Sequence, residues 1–322
     1  MKKILNYFIV LMIVPALFLG GCKKTDDTPE AEKGNFNTLK TYLIENSMDL
    51  PDMLNGWIVS AEGIHDKLGD YHIMDIRSAA DFANGHIEGA VNSTLANIVN
   101  DAKDVTKQIV VVCYTGQTAS HAVIALRLSG HPNAQVLKWG MSGWNEVFAG
   151  PWNSNVGNTA DDYPNSWTTD ATAEIKDFEY PGWETTVTDG AEILKDKVNE
   201  MLQNGFSGIS STDVLTAPSD YFVNNYWAAA DVEHYGHIKG AYRIKEDLSL
   251  ASGGIKNLDP SKTIVTYCWT GQTSSMVTAY LKVLGYNTKS LKFGTNAMIH
   301  DKLESHKWGP GAIMDYEYVT GK

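Results

Sequence analysis

Residues Lys107–Ser120 read KQIVVVCYTGQTAS and contain a complete strand, loop and helix start. The run Ile109–Val112 is β-branched, as is typical of a strand buried on both faces of a parallel sheet. Cys113 follows directly, and a short loop containing Gly116 comes next. Apolar residues then recur at the spacing of a helix packed on that sheet, at Ala119, Val123, Ala125, Leu126 and Leu128.

The chain contains this unit twice. Residues Lys262–Ser275 read KTIVTYCWTGQTSS, with Cys268 in the place of Cys113. Upstream of each unit lies a Gly-His-Ile-X-Gly-Ala motif, at residues 85–90 and 236–241. A repeat of this length indicates a duplicated domain and not a solenoid unit. About 300 residues also suit two domains better than one core.

Strand and helix signals alternate in each copy. In the first copy, strands are predicted to begin at Trp57, to cover Tyr71–Ile76 and Ile109–Val112, and to begin again at Val136. Such alternation predicts the α/β class, with a mostly parallel sheet flanked by helices in each domain. The predicted domains are residues 36–150 and 189–322.

Residues 151–188 are predicted to connect the two domains. This segment is rich in Asn, Thr, Asp and Gly, and it contains Trp152, Trp167 and Trp183. Exposed tryptophan is unfavourable, so we expect these side chains to hold the connection against the domains.

The N-terminal residues 1–21 have the layout of a secretory signal. Lys2 and Lys3 precede the apolar run Ile4–Phe18, which is shorter than the roughly 20 residues of a membrane span. Small residues then precede Cys22, which resembles the lipidated cysteine of bacterial lipoproteins. We expect a lipid anchor at Cys22, a polar tether over residues 22–35, and a place in the bacterial cell envelope, on the periplasmic face or in the outer membrane. An ordinary signal peptide with an incidental Cys22 is the alternative.

The net charge is −12, which argues against binding of nucleic acid and against a polybasic membrane contact.

With Cys22 lipidated, Cys113 and Cys268 remain as thiols. Backbone N–H groups of the loop and the start of the next helix favour a thiolate, so we expect a pKa for Cys113 below about 8.5. A disulfide between the two cysteines, joining the domains, is the alternative.

Both halves resemble the rhodanese-like superfamily, over most of residues 50–148 and about 205–300. In the first half the similarity rests on Asp75-Ile76-Arg77, Asp81-Phe82, the motif at residues 85–90, the loop Cys113–Thr118, and Leu137, Gly140 and Trp144, with Trp139 where a glycine is usual. The second half is more diverged, with Asn225-Tyr226-Trp227 in place of Asp-X-Arg and Met298 near the position of the late tryptophan.

The resemblance implies a sulfurtransferase that needs no metal or organic cofactor. A small sulfur-containing donor would leave its sulfane sulfur on Cys113 or Cys268 as a persulfide, and a small acceptor or a protein thiol would take it. The implied substrate-binding loop residues are Tyr114, Thr115, Gly116, Gln117, Thr118, Trp269, Thr270, Gly271, Gln272 and Thr273. The implied structural residues are Asp75, Arg77, His86 and His237.

Two departures from related proteins narrow the range of reactions and substrates that we expect. The residue six positions after each cysteine is Ala119 or Ser274, and neither can hold a phosphate as the arginine of related phosphatases does. Neither loop contains a cation, which argues against efficient use of thiosulfate and leaves polysulfide, a protein persulfide or an oxyanion of sulfur or selenium open.

The missing cation also leaves open a second class of function. In this alternative the protein is a catalytically weak binding or assembly lipoprotein, in a membrane-associated respiratory or chalcogen-handling complex.

Of the two thiols, we expect Cys113 to be the more reactive, because its domain retains Asp75, Arg77 and Trp144.

Overall fold

The computed structural model describes residues 30–321, and the side chains from Gly34 onward. The predicted signal and Cys22 therefore lie outside the described residues. Within the described part, no helix is both long and apolar enough to span a bilayer.

The first domain is built on a five-stranded parallel sheet. Its strands are β1 Ile58–Val59, β2 Tyr71–Asp75, β3 Val91–Asn92, β4 Gln108–Val112 and β5 Gln135–Leu137. They lie in the order β1-β5-β4-β2-β3. The helices of the first half are α1 Glu30–Glu45, α2 Leu50–Met53, α3 Ala61–His65, α4 Ala79–Asn84, α5 Ile98–Ala102, α6 Gln117–Leu128, α7 Met141–Trp144 and α8 Gly150–Asn153. The predicted strands and the helix after Cys113 are confirmed.

The second domain repeats this sheet with one strand fewer. The strands of the second half are β6 Trp167–Thr168, β7 Gly208–Ile209, β8 Phe222–Asn225, β9 His237–Ile238, β10 Ile264–Tyr267 and β11 Thr288–Leu291. The parallel order is β7-β11-β10-β8, and the position that β3 has in the first domain is reduced to a single bridge between Asn224 and Tyr242. Its helices are α9 Gly190–Gln203, α10 Ser211–Thr216, α11 Ala229–Tyr235, α12 Gln272–Val283 and α13 Thr295–Met298. The α/β class with two mostly parallel sheets is confirmed.

The connection between the domains is held by its tryptophans, as expected. Trp152 is fully buried, and β6, which contains Trp167, pairs antiparallel with β9. The Trp167 indole donates to the carbonyl of Tyr235 at 2.9 Å, and the Trp183 indole donates to that of Leu284 at 3.2 Å.

Both ends of the described chain cross to the other domain. Helix α1 begins at Glu30, inside the predicted tether 22–35, and packs on α9 because Phe36, Leu39 and Leu43 form a buried face. At the other end, the backbone of Val319 exchanges two hydrogen bonds of 2.9 Å with His86. The tail assigned to the second domain from sequence therefore lies on the first.

Asp49 links the two domains through a buried carboxylate. It accepts the N–H of Leu50 at the start of α2, at 2.7 Å. From the second domain it accepts the hydroxyl of Ser249 at 2.5 Å and the N–H groups of Leu250 and Ala251 at 2.9 and 3.0 Å. Charge-assisted bonds of this kind are about twice as strong as neutral ones, so the carboxylate stabilises one arrangement of the domains.

Candidate active site: two facing cysteine loops

The two cysteine loops have the same backbone shape. Gly116 and Gly271 precede α6 and α12 with φ angles of 79° and 77°, the left-handed region that favours glycine. A Cβ on Gly116 would lie 1.9 Å from Nε2 of Gln272, and one on Gly271 would lie 2.4 Å from Oε1 of Gln117. The loops therefore touch each other, and glycine is required for both the turn and the approach.

Backbone N–H groups donate to both sulfurs. The Sγ atom of Cys113 accepts from Gly116 at 3.1 Å and from Ala119 at 3.4 Å, and that of Cys268 accepts from Ser274 at 3.3 Å. Each sulfur also lies at the N-terminal end of a twelve-residue helix, where the positive end of the helix dipole favours an anion. Both thiols are free, so the alternative of a disulfide between them is wrong.

The protonation of Cys113 differs from the sequence expectation. Burial raises the pKa of its thiol, because the side chain is only 6% exposed and the charged form loses water. The N–H groups of Ala119, Thr115 and Gly116 favour the thiolate and offset only part of this rise. The expectation of a lowered pKa was therefore wrong, because the loop sequence does not reveal how completely the domains enclose the sulfur.

The two loop glutamines contact the opposite domain. Gln117 is buried and accepts the N–H of Phe293 at 2.8 Å, while Gln272 is buried against Gly116. The amide of Gln117 donates to the hydroxyl of Thr115 at 3.2 Å. In this arrangement both glutamines connect the loops, and the pseudo-symmetric contact makes the two loops one structural unit.

The remaining loop residues surround the sulfurs unequally. Thr118 and Thr273 are half-buried. The hydroxyl of Thr270 accepts a hydrogen bond from the N–H of Gln272 at 3.3 Å. The Tyr114 hydroxyl donates to Asp81 at 2.9 Å. In the second loop, Trp269 instead packs in an aromatic group with Trp227, Tyr235 and His306.

Asp75 and Arg77 form a buried ion pair beside the first loop. Their Oδ2 and Nη2 atoms are 2.6 Å apart, and both side chains are 1% exposed. Nη2 also donates to the carbonyl of Gly85 at 2.6 Å, and the guanidinium lies 4.9 Å from the centre of the Tyr114 ring. In the second copy, Asn225 donates to the Tyr267 hydroxyl at 2.7 Å.

The two histidines bind backbone carbonyl groups. The imidazole of His86 donates from Nδ1 to Phe82 at 2.8 Å and stacks on the Phe82 ring. Both ring nitrogens of His237 lie 2.8 Å from carbonyl oxygens, those of Ile238 and Asp170. These contacts orient the α4 and β9 segments.

Ser274 lies at the second sulfur but was not among the site residues predicted from the sequence, where it served only to argue against a phosphatase. The Ser274 hydroxyl lies 3.6 Å from Sγ of Cys268. A comparison of the two copies could have identified Ser274 as a site residue, because the residue six positions after the cysteine is serine in the second copy and alanine in the first.

A parallel sheet whose central strand ends in an N–H-lined cysteine loop, present twice in one chain, defines a tandem protein of the sulfur-transfer class. The chain belongs to the rhodanese-like domain family, whose model matches residues 60–147 and 200–300. At the level of the family it is a sulfurtransferase.

Individual known proteins are similar to this chain or to parts of it. The chain is similar to the thiosulfate sulfurtransferase GlpE of Shewanella oneidensis, with 39% identity over 80 residues that cover 24% of this chain and 78% of that protein. A thiosulfate sulfurtransferase structure from Pseudomonas aeruginosa is 14% identical to this chain. The match covers 87% of this chain and 49% of that structure's chain, with a TM-score of 0.30. The SseA structure from Escherichia coli, described as a 3-mercaptopyruvate sulfotransferase, is 18% identical, with coverages of 74% and 98% and a TM-score of 0.27.

Proposed function

We propose that this protein carries sulfane sulfur as a cysteine persulfide and passes it to an acceptor at the bacterial cell envelope. The observation that carries the proposal is that backbone N–H groups of Gly116 and Ala119 donate to Sγ of Cys113 and that of Ser274 donates to Sγ of Cys268. Donors fixed in this way stabilise an anion on the sulfur without reorganisation, whether it is a thiolate or a terminal persulfide.

The proposed reaction has two displacements. The thiolate Sγ attacks the sulfane sulfur of the donor, an S–S bond forms, and the bond from that sulfur to the rest of the donor breaks with its electron pair leaving on the donor. The acceptor nucleophile then attacks the outer sulfur, and Sγ leaves as the thiolate. The second displacement restores the enzyme, and no external oxidant or reductant is needed.

Donor recognition would depend on the loop backbone and on hydroxyl groups. Neither loop contains a cation, and the half-buried Thr118 and Thr273 offer hydroxyls at the start of the following helices. We therefore propose a small sulfur compound of low charge as the donor, and a small acceptor or a protein thiol as the group that takes the sulfur from the persulfide. Among residues 30–321, no group of three or more His, Cys, Asp or Glu residues is arranged to hold a metal ion.

Sulfur loading tests the proposal. Mature protein exposed in turn to thiosulfate, polysulfide and glutathione persulfide should gain the mass of one sulfur atom per reactive cysteine. The gain should disappear on cyanide treatment with release of thiocyanate. The double variant Cys113→Ser/Cys268→Ser keeps the loop shape and should gain nothing, which makes it the matched control.

The binding or assembly function is favoured by a different observation. Sγ of both cysteines is enclosed, with Cys113 6% and Cys268 2% exposed. A protein that gains no sulfur from any of the three donors, although both thiols react with an alkylating agent, would contradict the transfer function and support the assembly function.

We also propose that Cys22 is the lipid attachment site. The proposal rests on the order of basic residues, apolar run and small residues ahead of Cys22. The variant Cys22→Ala should move the protein from the membrane fraction to the soluble fraction, or leave its leader uncleaved, while its circular dichroism stays unchanged. Full retention in the membrane with an unchanged processed mass would contradict the anchor.

A further inference from the structure

Three buried serine hydroxyls lie behind Cys268. Ser274 and Ser275 belong to the first turn of α12, and Ser290 belongs to β11. The Ser290 Oγ atom is 2.8 Å from that of Ser274 and 3.1 Å from that of Ser275. Ser275 also donates to the carbonyl of Gly271 at 2.6 Å. The three groups form a connected chain of hydroxyls that ends at the sulfur.

The hydroxyl protons can be ordered in only a few ways along this chain. Each serine has one proton to donate, and the short bond to Gly271 uses that of Ser275. In the structure the Cys268 thiol donates to the Ser274 hydroxyl at 3.6 Å, and the Ser290 hydroxyl can donate to the carbonyl of Gly271 at 3.3 Å. Once the sulfur is a thiolate, Ser290 can donate to Ser274 at 2.8 Å, and the proton of Ser274 becomes available for Sγ of Cys268. The chain can therefore reverse its direction when the sulfur loses its proton.

The first loop lacks this chain. Ala119 stands where the second copy has Ser274, and the β4–β5 register places Val136 where the second copy has Ser290. Ser120 is retained and donates to Gly116 at 2.8 Å, just as Ser275 donates to Gly271. The two loops thus share a left-handed glycine and a helix start, and they differ in the hydroxyl group beside the sulfur.

We infer that Ser274, oriented by Ser290, is a positioning residue that stabilises the thiolate and the persulfide of Cys268, and that Cys268 is the primary sulfur carrier of the chain. A hydrogen bond to a charged group in a dry site is stronger than one between neutral groups. The inference deepens the proposed transfer function and rests on it. It also reverses the order of reactivity that we expect from the sequence.

The titration of each thiol tests this role. Thiolate ultraviolet absorbance against pH needs no access to the buried sulfur, and the double cysteine-to-serine variant supplies the tyrosine background. In the Cys113→Ser protein, adding Ser274→Ala should raise the Cys268 midpoint by about one pH unit. Ser290→Val should raise it by a smaller amount. Alanine and valine occupy the matching positions of the first copy, so both variants are compatible with the fold.

The reverse exchange is the matched control. In the Cys268→Ser protein, Ala119→Ser together with Val136→Ser should lower the Cys113 midpoint by about one pH unit. At neutral pH the Cys113→Ser protein should take up sulfur faster than the Cys268→Ser protein, by a few-fold, because Ser274 favours the thiolate of Cys268 while a more stable thiolate is also a weaker nucleophile.

The outcomes separate this inference from the proposed function. Unchanged midpoints in Ser274→Ala and in the exchanged first loop, or faster loading of Cys113 than of Cys268, would overturn the inference while leaving sulfur transfer in place. Shifted midpoints in a protein that never gains sulfur would uphold the role of Ser274 toward the thiolate and contradict the transfer function and the role of Cys268 as carrier.

Discussion

Replacing Arg77 by alanine is expected to lower the free energy of unfolding by about 3 to 5 kcal/mol. The carboxylate of Asp75 is then left in the interior with its ionic partner removed, since both side chains are 1% exposed. The pair itself is a weak source of stability, because desolvation offsets its attraction. The large effect comes from breaking it on one side only.

The measurement is urea denaturation of the Arg77→Ala protein. The double variant Asp75→Asn/Arg77→Met is the control, because it removes both charges and keeps similar volume, and Asn225 shows that an amide fits this position in the second copy. We expect the double variant to lose less stability than the single one. Equal losses would show that the uncompensated Asp75 charge is not the cause.

Acidification is expected to destabilise the protein through His121, by about 3 kcal/mol between pH 7 and pH 4. This ring is fully buried on α6, edge-on to Phe206 of the second domain at 5.0 Å. Burial lowers its pKa from 6.5 to about 3, and the nearby Lys282 adds to the decrease. The Ser207 N–H approaches Nε2 at 3.5 Å, which suits a neutral ring.

The sign of this effect follows from proton binding. Between pH 6.5 and about 3 the unfolded chain binds a proton at His121 that the folded chain does not bind. The stability supplied by the neutral ring is therefore complete above pH 6.5, and it is lost progressively as the pH falls toward 3.

The matched control for this prediction is the variant His121→Met, which the second copy suggests. Met276 occupies the matching position of α12, so His121→Met keeps a buried apolar side chain at the contact with Phe206. The difference in unfolding free energy between pH 7 and pH 4 should shrink by about 3 kcal/mol in this variant, with other groups titrating as before. An unchanged acid dependence in His121→Met would show that His121 is not the source.

Several features of this protein could be read from local residue patterns. The β-branched run Ile109–Val112 predicts a central strand, because such a run is typical of a parallel strand that has helices on both sides. The repeated cysteine unit predicts two domains of one fold, and the short loop with Gly116 predicts a tight turn into a helix. These features depend on residues close together in the chain.

Other features depend on how distant segments meet. Helix α1 packs on α9 of the second domain, and Val319 near the C-terminus forms a bridge with His86 of the first, so both ends of the described chain pack on the other domain. Apolar residues in a short segment indicate that a face will be buried, but they do not indicate which surface will cover it.

The chemistry of the cysteines divides in the same way. The sequence identifies Cys113 and Cys268 and the N–H donors that follow them, because those donors lie within six residues of each sulfur. Enclosure of Cys113, the contact of Gln117 with Phe293, and the link from Ser290 through Ser274 to Cys268 arise only when strands, helices and both domains pack together. Burial and hydrogen bonds to residues far along the chain set the protonation of a thiol, and a loop motif encodes neither.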